Sequence, residues 1–245
     1  MHWYRTPNGG RRLWIEDAEF DALAEEELRR AGLYPMPCRP AVDIERFIQR
    51  HQKADMDQHA DLGPGVAGAI EFLPDRFKIF VSRLLTDQVD GDDCEPGVRG
   101  RWRATMAHEA AHGLLHRELF YTDPGQCTLA NLLFDDPPED SQWITCLGQE
   151  IVFGGGQDWR EYQANRGMAA LLMPRTLFIT VVRDVLSEIA PGRQPILPQS
   201  REYMALKRQV SRRFEVSCQA TSIRMTELEG TLSLAQPRLV ANSRD

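Results

Sequence analysis

Apolar residues recur at helical spacing in six stretches of this chain and fall in two short strand-like runs between them. Phe20, Leu23, Ala24 and Leu28 fall among acidic neighbours, so Trp14 to Arg30 reads as an amphipathic helix that Gly32 stops. A second helix follows Pro40, with Asp43 as N-cap and Ile44, Phe47 and Ile48 on one face. Gly65 to Leu73 and Phe77 to Val81, joined by Pro74-Asp75, predict two short strands in a β-hairpin. The Gly, Asp and Pro-rich stretch from Thr86 to Gly100 reads as a loop leading into a helix from about Arg101 to Leu119. Tyr121 to Gln157 carries Pro124-Gly125, Asp135-Asp136-Pro137-Pro138 and three consecutive glycines, and reads mostly as loop. Helical spacing resumes at Trp159 and ends before Pro174, because a residue preceding proline is pushed out of the helical region. Helices are expected again from Pro174 to Ile189 and from Ser200 to Phe214, with a loose tail after Gly230.

Composition narrows the class of protein. A chain of 245 residues with 42% hydrophobic and 27% charged residues can bury a sizeable core. Its formal net charge of -7 argues against a broad nucleic-acid-binding face, which needs clustered cations. The acidic run from Glu16 to Glu27 interrupts any signal-peptide pattern, and the apolar stretch from Met168 to Val182 is broken by Pro174 and Arg175. A soluble, cytoplasmic protein without a membrane association is expected. Cys38, Cys94, Cys127, Cys146 and Cys218 are odd in number and never paired as C-x-x-C, so reduced thiols are the expected state.

Chemistry concentrates in His108-Glu109-Ala110-Ala111-His112, an H-E-x-x-H sequence inside a helical pattern. Residues four apart share a helix face, so both imidazoles can reach one ion while Glu109 faces its open side. A catalytic zinc keeps three protein ligands and one water, and Glu109 is placed to take that water's proton as general base. His116, one turn further, has drifted around the helix, and a packing or supporting role suits it better than a ligand role. The metzincin spacing fails, because Leu115 stands where that class needs glycine and Glu118 where it needs a ligand. A third ligand from a later segment leaves Glu139, Glu150 and Glu161. Of these, Glu161 opens the most convincing helix, although Asp158-Trp159-Arg160-Glu161 also fits a capping box.

Two segments carry a resemblance. Arg101 to His116, containing the H-E-x-x-H, and Glu161-Tyr162-Gln163-Ala164-Asn165 leading to Leu171-Leu172-Met173-Pro174 resemble the ImmA/IrrE family of metallo-endopeptidases. The resemblance runs from Ile44 to about Leu228. It implies an α+β, gluzincin-like zinc metallopeptidase fold with a small, short-stranded sheet and a helical C-terminal extension. It further implies Glu161 as the third ligand of one catalytic Zn2+, beside His108 and His112. Family members characterised as peptidases are bacterial or phage regulators that cut a partner repressor at one peptide bond, which implies a specific protein substrate here. The organisation expected is an N-terminal helical segment over 1–40, a zinc metallopeptidase domain over 41–190, a C-terminal helical segment over 191–230 packed on it, and a tail over 231–245. Two departures stand out. Gly167-Met168 replaces the family's aromatic-small pair, which implies looser packing under the ligand helix, and the segment between His112 and Glu161, with Cys127 and Cys146, is long for the family. The oxyanion-stabilising group is open among Tyr121, Tyr162 and His116.

The competing reading is a regulatory binding protein that uses the metal for sensing. It rests on two short helices around Val216-Ser217, a helix-turn-helix-like module whose Lys207, Arg208, Arg212, Arg213 and Arg224 would meet phosphates. The same spacing also packs two amphipathic helices onto a domain and leaves the arginines solvated, which makes nucleic acid the less favoured partner.

Overall fold

The computed structural model describes residues 2–5, 11–73, 75–91, 94–120, 143–147, 159–191 and 200–232. Helix α1 (Asp17–Arg30) buries Phe20, Ala24 and Leu28, as the periodicity requires. It ends in a Schellman motif: Leu33 N–H donates to the Leu28 carbonyl, Gly32 N–H to the Arg29 carbonyl, and Gly32 takes the left-handed φ of 66°. Before it, β1 (His2–Arg5) and β2 (Arg11–Trp14) pair as an antiparallel hairpin that was not expected from the sequence.

After Pro40 the predicted helix is a single turn, α2 (Ile44–Arg46), whose Arg46 N–H is capped by the Asp43 carboxylate at 3.0 Å. It widens at once into a π-helical turn, Phe47–His51. The predicted hairpin is present as β4 (Val66–Phe72) and β5 (Phe77–Ser82), in antiparallel register from Gly68 opposite Val81 to Phe72 opposite Phe77. Two strands join it. β3 (Asp55–Ala60) runs parallel to β5, and β6 (Trp143–Leu147) runs antiparallel to β4, giving a mixed sheet in the order β3-β5-β4-β6. β6 corrects the loop expected there; the rest of 121–157, with Cys127, Glu139 and Glu150, lies outside the described residues.

The loop expected from Thr86 to Gly100 is also largely helical. Helix α3 (Arg83–Asp90) buries Leu85, Thr86 and Val89, and α4 (Pro96–Leu115) begins five residues earlier than expected, with Pro96 in the first turn, where its missing N–H costs nothing. Of the Gly and Asp residues that suggested a loop, Asp87 and Asp90 lie in α3 and Gly97 and Gly100 in α4, while Gly91 falls in the short link between those helices. Helix α4 ends at Leu115, with His116 as its C-cap and a four-residue helix α5 (Arg117–Phe120) beyond. Then come α6 (Trp159–Leu172), α7 (Arg175–Ile189), α8 (Arg201–Phe214), α9 (Cys218–Glu227) and α10 (Glu229–Leu232), so the chain is still helical after Gly230.

The result is an α+β fold in which α4 lies between the four-stranded sheet and α6. Glycines permit both approaches. A Cβ on Gly113 would fall within 2.4 Å of the Phe77 ring, and one on Gly167 within 2.8 Å of Ala111 Cβ. Gly167 therefore tightens the packing beneath the ligand helix, where looser packing was expected, because its missing side chain is what lets α6 approach α4. A single buried cluster runs from Leu13 to Leu232 and includes α1 and the C-terminal helices. Among the described residues no helix is long and apolar enough to cross a membrane, and no disulfide joins Cys38, Cys94, Cys146 or Cys218.

Candidate metal centre

His108 and His112 project from one face of α4, and Glu161 comes from the first turn of α6, which packs across it. Their ligand atoms converge. His108 Nε2 lies 3.1 Å from His112 Nε2 and 3.1 Å from Glu161 Oε2, and His112 Nε2 lies 3.2 Å from Glu161 Oε1. Tetrahedral zinc with nitrogen and oxygen ligands at its usual bond lengths would separate those atoms by about 3.3 Å. All three residues are buried, and they form a cluster able to hold a metal ion. Glu139 and Glu150 lie outside the described residues.

The charge pattern suits a cation. Burial works against ionisation of Glu161, but its contacts with His108 and His112 outweigh burial and hold its carboxyl well below the usual range. Burial pushes His112 down to about 4, with the neighbouring His108 adding to the effect and Glu161 opposing it. An anionic carboxylate beside a neutral imidazole is the protonation pattern of metal ligands.

Glu109 is fully buried, and neither carboxylate oxygen has a hydrogen-bond partner. Burial first, and the nearby Glu161 charge second, push its pKa well above the ordinary carboxylate value. Partnerless buried carboxylates are rare because each lost hydrogen bond is costly, so this one points to chemistry and not to stability. It borders the central strand: a Cβ on Gly68 would come within 2.9 Å of Glu109 Oε1.

Asn165, Gln163 and Cys146 stand around the centre without a sequence signal of their own, and His116 takes the supporting place expected of it. Asn165 Oδ1 stands 3.2 Å from His108 Nδ1. His116, burial pushing its pKa down to about 3, contacts His112 and Gln163, so it supports a ligand and does not face the converging atoms. Cys146 on β6 is buried, and its sulfur lies within 4.8 Å of ligand atoms of His108 and Glu109. Of the oxyanion candidates, Tyr121 lies outside the described residues, and Tyr162 turns its hydroxyl to Asp17, 3.4 Å away.

The basic residues assigned to a helix-turn-helix are not all available to phosphate. Arg224 is 1% exposed, and its guanidinium donates to Asp21 and to the Met173 carbonyl. Arg213 is held by Glu188 at 2.7 Å. The turn between α8 and α9 is made by Glu215 in the left-handed region and by Ser217, which caps α9 by accepting from Ala220 N–H.

No family model matches this chain, and no curated protein or solved structure shows significant similarity to it.

Proposed function

We propose that this chain is a zinc-dependent endopeptidase of the ImmA/IrrE type, with a gluzincin-like arrangement, that cleaves a specific protein substrate in the cytoplasm. A repressor or a similar regulator is the substrate class that the reading favours. The observation that carries it is the convergence of His108, His112 and Glu161 beside the partnerless, buried carboxylate of Glu109. Two imidazoles and a carboxylate make a ligand set suited to zinc.

A divalent ion held there would supply a water acidic enough to lose a proton near neutral pH and a Lewis acid for the scissile carbonyl. The remaining work falls to the chain. Glu109 would accept a proton from the attacking water at a carboxylate oxygen and return it to the leaving amine, a role open to a buried carboxyl whose pKa burial raises above the ordinary value. The buried surroundings exclude bulk water and strengthen each charge interaction.

Elemental analysis of protein purified without chelators tests the metal, and incubation with candidate repressors tests the cleavage. Near-stoichiometric zinc is expected in wild type and in Glu109→Gln, and is lost in Glu161→Ala. Cleavage is expected in wild type alone. A Glu109→Gln variant that cleaves as fast as wild type would remove the proposed base from the mechanism.

A further inference from the structure

His112 is held by a hydrogen-bond chain whose direction is set far from the metal centre. The Leu13 carbonyl on β2 can only accept, and Gln163 Nε2 donates to it at 2.7 Å. Gln163 therefore presents its carbonyl oxygen, Oε1, to His116 Nε2 at 3.1 Å, and an N–H is required there. With that N–H on Nε2, the neutral His116 ring keeps a lone pair on Nδ1. That lone pair faces His112 Nδ1 at 2.9 Å, which must then be the N–H. His112 Nε2 is left with its lone pair, aimed at the point it shares with His108 and Glu161.

The same hairpin grips His116 from a second side. Trp159 meets the His116 ring edge-on, with centroids 5.5 Å apart at 89°, and Arg12 lies over Trp159 at 5.5 Å. β2 thus reaches the centre twice, through the carbonyl of Leu13 and through the side chain of Arg12.

We propose that His116 and Gln163 are positioning residues that fix the metal-binding tautomer of His112, and that the N-terminal strand β2 is the outer anchor of that chain. The metal part of this rests on the reading of the previous section. Outer partners of this kind typically change metal affinity by about 10 to 100-fold.

The experiment compares wild type with Gln163→Leu, Gln163→Glu and Gln52→Leu. Each is histidine-labelled with nitrogen-15, stripped of metal, and titrated with zinc against a chromophoric chelator. Gln52 is the control for a merely structural amide, because it donates to the Ala110 carbonyl of α4 at 2.8 Å and takes no part in the hydrogen bonds of His108, His112 and His116. Wild-type apoprotein is expected to show His112 protonated on Nδ1 and His116 on Nε2. Gln163→Leu is expected to mix the His112 tautomers and to weaken zinc about 10 to 100-fold. Gln163→Glu places a carboxylate where the amide oxygen stood and, ionised, cannot donate to the Leu13 carbonyl, so the chain loses its fixed direction and the variant is expected to behave as Gln163→Leu does. Gln52→Leu is expected to lower the apoprotein's melting temperature without changing either readout. Wild-type His112 protonated on Nε2, or unchanged tautomers and affinity in Gln163→Leu, would overturn the proposal. If wild type takes up no divalent ion while His112 carries its proton on Nδ1, the metal reading falls and the tautomer assignment stands.

Discussion

Gly68 on β4 packs directly against Thr105 and Glu109 of α4, and replacing it with alanine separates the packing of the fold from the placement of Glu109. An added Cβ would lie 2.5 Å from Thr105 Cγ2, 2.9 Å from Glu109 Oε1 and 3.2 Å from the Phe80 carbonyl. None of these yields freely. Thr105 is buried, with its hydroxyl bonded to the Arg101 carbonyl at 3.1 Å, and the Phe80 carbonyl belongs to the paired backbone of β5. Overpacking of this kind costs about 1–3 kcal/mol. At the middle of that range, and at roughly 2–4 °C per kcal/mol for a domain of this size, Gly68→Ala melts about 4–8 °C below wild type. Adding Thr105→Ser removes the clashing methyl, so the double variant regains most of the loss, with a coupling energy of about 1–2 kcal/mol. The overlap with Glu109 remains in both variants. A displacement of about 1 Å at a reacting group can cost about 100-fold in rate, so cleavage stays impaired after stability has returned. Thermal unfolding of the apoproteins and turnover of an identified substrate are the two assays. A Gly68→Ala protein that melts within about 1 °C of wild type would refute the close approach of α4 to β4, and with it the placement of Glu109 against the strand.

Two sets of substitutions test how α1 braces α7 and α9. Glu25 on α1 accepts from Thr176 N–H at 2.7 Å in the first turn of α7, from the Thr176 hydroxyl at 3.2 Å and from Arg29 at 2.6 Å. Burial opposes its ionisation, but these donors outweigh burial and hold its carboxyl below the ordinary value. Glu25→Ala is expected to cost about 2–3 kcal/mol by chemical unfolding near neutral pH, most of it the charge-assisted bond to α7. A group with a depressed folded-state pKa stabilises above the unfolded value and loses that contribution as pH falls through the folded one, so the difference from wild type shrinks below about pH 4.3. A difference that is unchanged well below that pH would mean the carboxylate charge plays no part. Asp21→Ala removes one buried carboxylate from Arg224, which keeps Glu227 and the Met173 carbonyl, and is expected to cost about 3 kcal/mol, the lower end for breaking a buried pair. Glu188→Ala breaks the more exposed pair with Arg213 and is expected to cost under about 1 kcal/mol. Equal losses in those two variants would contradict the burial of Arg224.

What the sequence disclosed and what it hid divide along the range of the interactions concerned. His108 and His112 were legible because one helical turn places them together, and the β4–β5 hairpin because its two halves adjoin. The break between α6 and α7 was legible because proline acts on its own neighbours. β3 was not, since its residues, Asp55 to Ala60, are mostly polar and its pairing comes from β5, beyond an intervening strand. Glycine and aspartate between α3 and α4 outweighed the helical spacing of Leu85 and Val89 in a reading that weighs residue types locally.

The surroundings of the candidate metal centre obey the same division. Gln163 reaches His116 across 47 residues and Leu13 across 150, and no periodicity encodes either contact. The ligand motifs alone therefore understate the unit that makes a rigid centre. A chain beginning at residue 41 would keep every ligand but lose the Leu13 carbonyl, the carboxylates of Asp21 and Glu25, and the buried faces of Phe20 and Leu28. His112 would then be free to place its proton on the nitrogen that the metal needs, so the first forty residues act on the chemistry through the fold, without contributing a ligand to it.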